Sequence, residues 1–126
     1  MKLLLDTHIL LWLIYEPRRI APVRDLIGDA ANRVHVSLAT WWEIAIRTSL
    51  GKLAADIDIL RSTASDGGII DVPIEWTHVR KAASLPRHHG DPFDHLLVAQ
   101  AITEGMRLLT ADRALVPYSE LVWCIH

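Results

Sequence analysis

Five apolar runs, KLLL (2–5), RVHV (33–36), IIDV (69–72), RLLT (107–110) and LVWC (121–124), recur along the chain, and helical patterns fill the spaces between them. The helical stretches fall near 8–16, 22–31, 39–49, 55–65, 75–84 and 93–104. Pro22, Gly51, Gly67, Gly68, Pro73, Pro86, Gly90 and Gly105 punctuate them. Alternation of strand and helix in one chain predicts an α/β fold, with a mostly parallel sheet of about five short strands covered by helices on both faces. A length of 126 residues fits one domain, 1–126, with a core large enough to need no disulfide or structural metal. In such sheets ligands sit beyond the carboxyl ends of the strands, where the strand order reverses.

Cysteine and charge narrow the setting. Cys124 is the single cysteine, so no disulfide framework exists and a reducing, cytoplasmic compartment is expected. The opening MKLLLDTHILLWLIY is apolar, but Asp6 and His8 interrupt it and no small-residue cleavage site follows. It also falls short of the roughly 20 apolar residues a membrane span requires, so no membrane association is expected. A net charge of −2 says little about partners, although a protein that binds nucleic acid by bulk electrostatics alone is usually basic overall. A phosphate-bearing substrate would have to be met by a local basic patch or by bound cations.

The informative residues are carboxylates in apolar company. From Leu3 to Tyr15, thirteen residues, Asp6 is the only formal charge, and from Val34 to Ile46, thirteen more, it is Glu43. Burying an ionised group without a partner costs several kcal/mol, so isolated carboxylates of this kind call for an explanation. Asp6 directly follows the first strand, where Asp also serves commonly as a helix N-cap. Glu43 lies within TWWEIAIR, where a surface pairing with Arg47 four residues on is the ordinary alternative. Asp112 follows the fourth strand in LLTADRAL, a place that a turn residue also fills. Three acidic groups at one edge of one sheet are harder to explain separately than together.

The segment HHGDPFDH (88–95) adds a fourth. Asp91 at the N-cap with Pro92 at the first helical position is a complete structural account of Asp91. Asp94 is different. It shares a helical face with the apolar Leu97, Val98 and Ala101, which turns its carboxylate toward the sheet at the positive end of the helix dipole. Zinc held by His88, His89 and His95 is the rival for this segment. The spacing fits no structural zinc pattern and no cysteine lies nearby. Carboxylates gathered from separate elements instead suit a hard cation, Mg²⁺ or Mn²⁺. Two carboxylates about 5 Å apart repel by roughly 3 kcal/mol at an effective dielectric of about 20. A cluster of four therefore holds protons or a counter-ion.

The chain resembles the PIN-domain ribonucleases, and among them the VapC toxins of VapBC toxin–antitoxin pairs, over nearly its whole length. The similarity is carried by LLLDTHILLWL, SLATWWEIAIRTSLGKL, HHGDPFDHLLVAQA, and LLTADRAL followed by Tyr118. The acidic metal-binding residues of that family fall on Asp6, Glu43, Asp94 and Asp112. The resemblance implies a three-layer α/β/α fold, Mg²⁺- or Mn²⁺-dependent cleavage of RNA, a homodimer, and inhibition by a VapB-like antitoxin. The chain departs from the family in carrying His95 where Arg is usual and Arg47 where Lys is frequent. Both departures bear on substrate contacts and pH dependence rather than on metal ligands.

Metal-assisted hydrolysis of an RNA phosphodiester is thus the expected chemistry. Arg47, Lys52, Arg87, His88 and His89 are the candidates for phosphate contact, with a solvated basic surface as the alternative. Thr7 and Thr110 stand beside acidic residues and could orient a ligand, or bond only to backbone. Two other classes remain open. A phosphotransfer domain of receiver or phosphatase type would want Asp-x-Asp after the first strand or a late lysine, and no lysine follows Lys81. A non-catalytic PIN-like interaction module would have no use for the four carboxylates.

Overall fold

The computed structural model describes residues 1–87 and 90–125; His88, His89 and His126 lie outside the described residues. Five strands, β1 (Lys2–Leu5), β2 (Arg33–Ser37), β3 (Ile70–Val72), β4 (Arg107–Thr110) and β5 (Val122–Cys124), form one sheet in the order β3-β2-β1-β4-β5. Every pairing is parallel, with Leu4 opposite His35 on one side and Leu108 on the other. The expected α/β architecture is present. Chain order reverses between β1 and β4, so the carboxyl ends of those two strands flank the switch point.

Strand alternation sorts the core into two layers. Leu3, Leu5, Val34, Val36 and Leu109 point to one face. There they meet Ile9 and Leu10 of α1 (Thr7–Tyr15), Trp41 and Ile44 of α3 (Leu38–Ser49), and Leu60 and Ala64 of α4 (Ile57–Asp66). Leu4, Val72, Leu108 and Val122 point to the other and meet Leu97, Val98 and Ala101 of α6 (Pro92–Glu104). All three α6 side chains are buried, as their spacing from Asp94 predicts. Between β3 and α6 lies α5 (Trp76–Ser84), which packs on α6.

Helix starts follow their caps. Asp6 Oδ1 accepts the Thr7 N–H at 2.7 Å, Ser37 Oγ accepts the Ala39 N–H at 3.0 Å, and Asp91 Oδ1 accepts the Phe93 N–H at 2.9 Å. The helix expected near 22–31 is replaced by a 3-10 segment, Pro17–Val23, running into the five-residue α2 (Arg24–Gly28). Pro22 lacks the N–H that an α-helical turn needs, and Ile20 leaves helical geometry at φ −102°, ψ 15°. β3 and β5 are also one residue shorter than expected.

Candidate functional site

The carboxyl end of β1 delivers Asp6, 5% exposed, as the residue that ends the strand and caps α1. Its backbone N–H still bonds to the Leu109 carbonyl at 2.9 Å, so the side chain is held at the edge of the ladder. Oδ2 accepts the Thr110 hydroxyl at 2.6 Å. Thr110 in turn accepts the Asp112 N–H at 3.0 Å, and Asp112 Oδ1 accepts the Ala114 N–H at 2.9 Å. One buried hydroxyl therefore joins the acidic residues that follow β1 and β4. On the neighbouring strand's side, the Thr7 hydroxyl donates to Glu43 Oε1 at 2.7 Å, with Thr40 Oγ1 at 3.2 Å. That hydroxyl takes the place of the Arg47 pairing considered from sequence.

Asp6, Glu43, Asp94 and Asp112 line one cleft of about 420 Å³, with His8 and Trp12 of α1 on its wall. They arrive from four places: the end of β1, the middle of α3, the first turn of α6, and the turn after β4. Asp91 lines the cleft too, so the cap of α6 also contributes charge to it. Electrostatics report the crowding. Burial, followed by the charges of Asp6, Asp91, Glu43 and Asp112, pushes the Asp94 carboxyl up from 3.8 to about 8. Burial also raises Asp6, against the opposing effect of its bonds from Thr110 and Thr7. An all-oxygen donor set that resists full ionisation fits a hard divalent cation.

Of the residues expected to meet phosphate, Arg47 and Lys52 line a second cleft of about 430 Å³ that shares His8 and Trp12 with the first. Arg87 is exposed ahead of α6 and lines neither cleft. His88 and His89 are outside the described residues. His95, the remaining member of the zinc trio, shares a 2.9 Å hydrogen bond between Nε2 and the Tyr118 hydroxyl. It ties α6, which carries Asp94, to the 3-10 segment Arg113–Tyr118 that follows Asp112. His8 and Trp12 were missed as site residues in the sequence, although their i, i+4 spacing beside Asp6 places them on one helical face.

A second group of ligand-type side chains, Glu75, His78 and Glu104, brings its atoms within 4.8 Å of one another away from this cleft. The Glu75 N–H donates to His78 Nδ1 at 3.0 Å, which leaves the ring proton on Nε2, 2.9 Å from Glu104 Oε1. Nδ1 thereby closes the N-terminal cap of α5, and Nε2 fastens α5 to α6.

A parallel sheet with carboxylates from four elements lining one cleft at its switch point defines an α/β protein with an acidic cleft. The PIN domain model matches residues 3–120, and the chain belongs to the PIN domain family. It is 30% identical over 117 residues to Ribonuclease VapC22 of Mycobacterium tuberculosis, covering 89% of this chain and 88% of that one. In fold it is similar to a chain of VapBC2 from Rickettsia felis, solved bound to a DNA fragment from its promoter. That likeness has a TM-score of 0.74 at 15% identity and covers 97% of this chain and 96% of that one. A toxin–antitoxin complex from Klebsiella pneumoniae gives a TM-score of 0.71 at 17% identity, covering 98% of each chain.

Proposed function

We propose that the protein is a divalent-metal-dependent endoribonuclease, the toxin of a toxin–antitoxin pair, in which Asp6, Glu43, Asp94 and Asp112 hold Mg²⁺ or Mn²⁺. The convergence of these four carboxylates on one cleft, with Asp94 driven up to about 8, is the observation that carries the proposal. The ion would supply activation of water and neutralisation of charge at the scissile phosphate. The chain's own part is positional. The Thr110 hydroxyl bonds Oδ2 of Asp6 and the Thr7 hydroxyl bonds Oε1 of Glu43, which sets the orientation of both carboxylates at the cleft. Arg47 and Lys52, one cleft away, meet the substrate's phosphates.

The family and the 30% identical ribonuclease support RNA as the substrate. A VapB-like antitoxin is the partner that the fold relatives point to. The exposed Leu38 and Trp42 on α3 offer apolar surface for that partner or for a homodimer. No helix among the described residues is long and apolar enough to cross a membrane, in keeping with action on cytoplasmic RNA by residues 1–126 as one domain.

A set of defined RNAs incubated with the protein and Mg²⁺ or Mn²⁺, and in parallel with chelator, tests the proposal when the new ends are mapped. Discrete cuts that require the ion support it. Intact RNA under every ionic condition would favour a non-catalytic interaction module.

A further inference from the structure

The acidic cleft repels the polyanion it is proposed to cut, and the chain's net charge of −2 supplies no compensating bulk attraction. Affinity has to come from the groove that leads into the cleft. That groove is built on one stripe of α1. His8 and Trp12 line both clefts, and Tyr15, one further turn along, lines the second. The rings of His8 and Trp12 lie 6.0 Å apart at an interplanar angle of 52°. Arg19 sets its guanidinium 3.9 Å over the Trp12 ring and pairs with Glu16 at 3.5 Å. Arg47 and Lys52, from the end of α3 and the segment after it, line the same groove.

We infer that the His8–Trp12–Tyr15 stripe is a stacking subsite for unpaired nucleotides flanking the scissile phosphate, with Arg47 and Lys52 holding the phosphates of the same strand. The inference rests on the ribonuclease activity proposed above and adds the side chains that meet the bases of its substrate. Aromatic rings and basic side chains lining one groove match bases and phosphates respectively. Next to carboxylates, a neutral base face is also the part of a nucleotide that can approach without repulsion. Within a duplex the base faces are already stacked, so only an unpaired segment can use such a platform. His8 and Tyr15 are exposed and Trp12 is half-buried, so all three are within reach of a ligand in the groove.

The test is a coupling experiment on the full chain. An RNA oligonucleotide that the wild type cuts in Mn²⁺ is labelled, and copies are made with one abasic nucleotide at each position around the cut. Affinities are measured in chelator for the wild type, Trp12→Leu, His8→Ala and Trp76→Leu, the last removing an exposed tryptophan of α5 outside both clefts. Trp12→Leu should weaken binding ~10-fold. An abasic nucleotide at one or two positions beside the cut should weaken the wild type by a similar factor. The two losses should not add, while Trp76→Leu binds as the wild type does. His8→Ala and the abasic series on the wild type keep the test valid if Trp12→Leu melts early. Unchanged binding by the His8 and Trp12 variants, or additive losses at every abasic position, would overturn the inference and leave metal-dependent cleavage standing. Failure of the wild type to cut any RNA would remove both. A Trp12 variant that loses a peptide partner but keeps its RNA affinity would reassign the stripe to protein binding.

Discussion

Asp94→Asn removes a charge from a place where charge is costly, and its effect on stability follows from the cause of the shift. In the metal-free protein the Asp94 carboxyl is raised from 3.8 to about 8 by burial and by four neighbouring carboxylates. Below about pH 4 the group is protonated in the folded and unfolded chain alike, so the substitution changes little. As pH rises toward 8 the unfolded chain releases this proton while the folded chain keeps it, and the wild type loses stability through that window. Above it the loss is complete. Each tenfold change in acidity is worth about 1.4 kcal/mol. Solvent screening at a partly exposed side chain, and proton sharing across the cluster, reduce the full figure to ~1–2 kcal/mol. Asp94→Asn should therefore be more stable than the wild type by that amount in chelator at pH 8, and level with it at pH 4. Denaturant titrations at the two pH values measure this. A variant no more stable than the wild type at pH 8, or equally stabilised at pH 4, would refute the clustering argument. Asp6→Asn is a less direct test, because its oxygens accept from both Thr7 and Thr110 and an amide cannot reproduce both bonds without rearrangement.

Asp94→Asn should abolish metal-dependent RNA cleavage, whereas Asp91→Asn should retain most of it, since Asn caps a helix nearly as well as Asp; parallel cleavage assays distinguish the two. Chelation should leave a cooperative thermal transition in place, because two apolar layers rather than an ion hold the sheet and helices together, and melts with and without chelator check this. Thr110→Val should cost about 1–3 kcal/mol, by leaving the Asp112 N–H and an oxygen of buried Asp6 without their shared partner, and should slow cleavage. Thr110→Ser should recover both, as read by denaturation and by cleavage rate.

Much of this arrangement is legible in the sequence because the physics that sets it is local. The strands at 2–5 and 107–110 are bounded as expected, since an apolar run ending in a capping Asp or a Thr–Ala–Asp turn leaves little choice of where extension stops. Asp6 and Glu43 stand out because no other charge lies near them in sequence, and Asp94 because its face continues into Leu97, Val98 and Ala101. What escaped has non-local causes. The second role of Asp91 appears only when α6 is set against β1 and β4, because its local capping bond already accounts for it completely. His8 and Trp12 look like an ordinary helix surface until Arg47 and Lys52, more than thirty residues away in sequence, are folded into the same groove. His95 shows the same limit, since its partner Tyr118 lies on a different element.

If the carboxylate cluster holds a divalent ion in exchange for a proton, calorimetric titration with Mn²⁺ near pH 7 registers both the binding and the exchange. With Asp94 raised to about 8, the metal-free protein carries a proton at that pH which a bound cation must displace. Titrations in buffers of different ionisation enthalpy should show saturable binding with release of about one proton per protein. Both the affinity and the proton release should fall sharply in Asp94→Asn. Binding without proton release, binding undiminished in Asp94→Asn, or no binding by the wild type would rule out a metal site built on this carboxylate cluster.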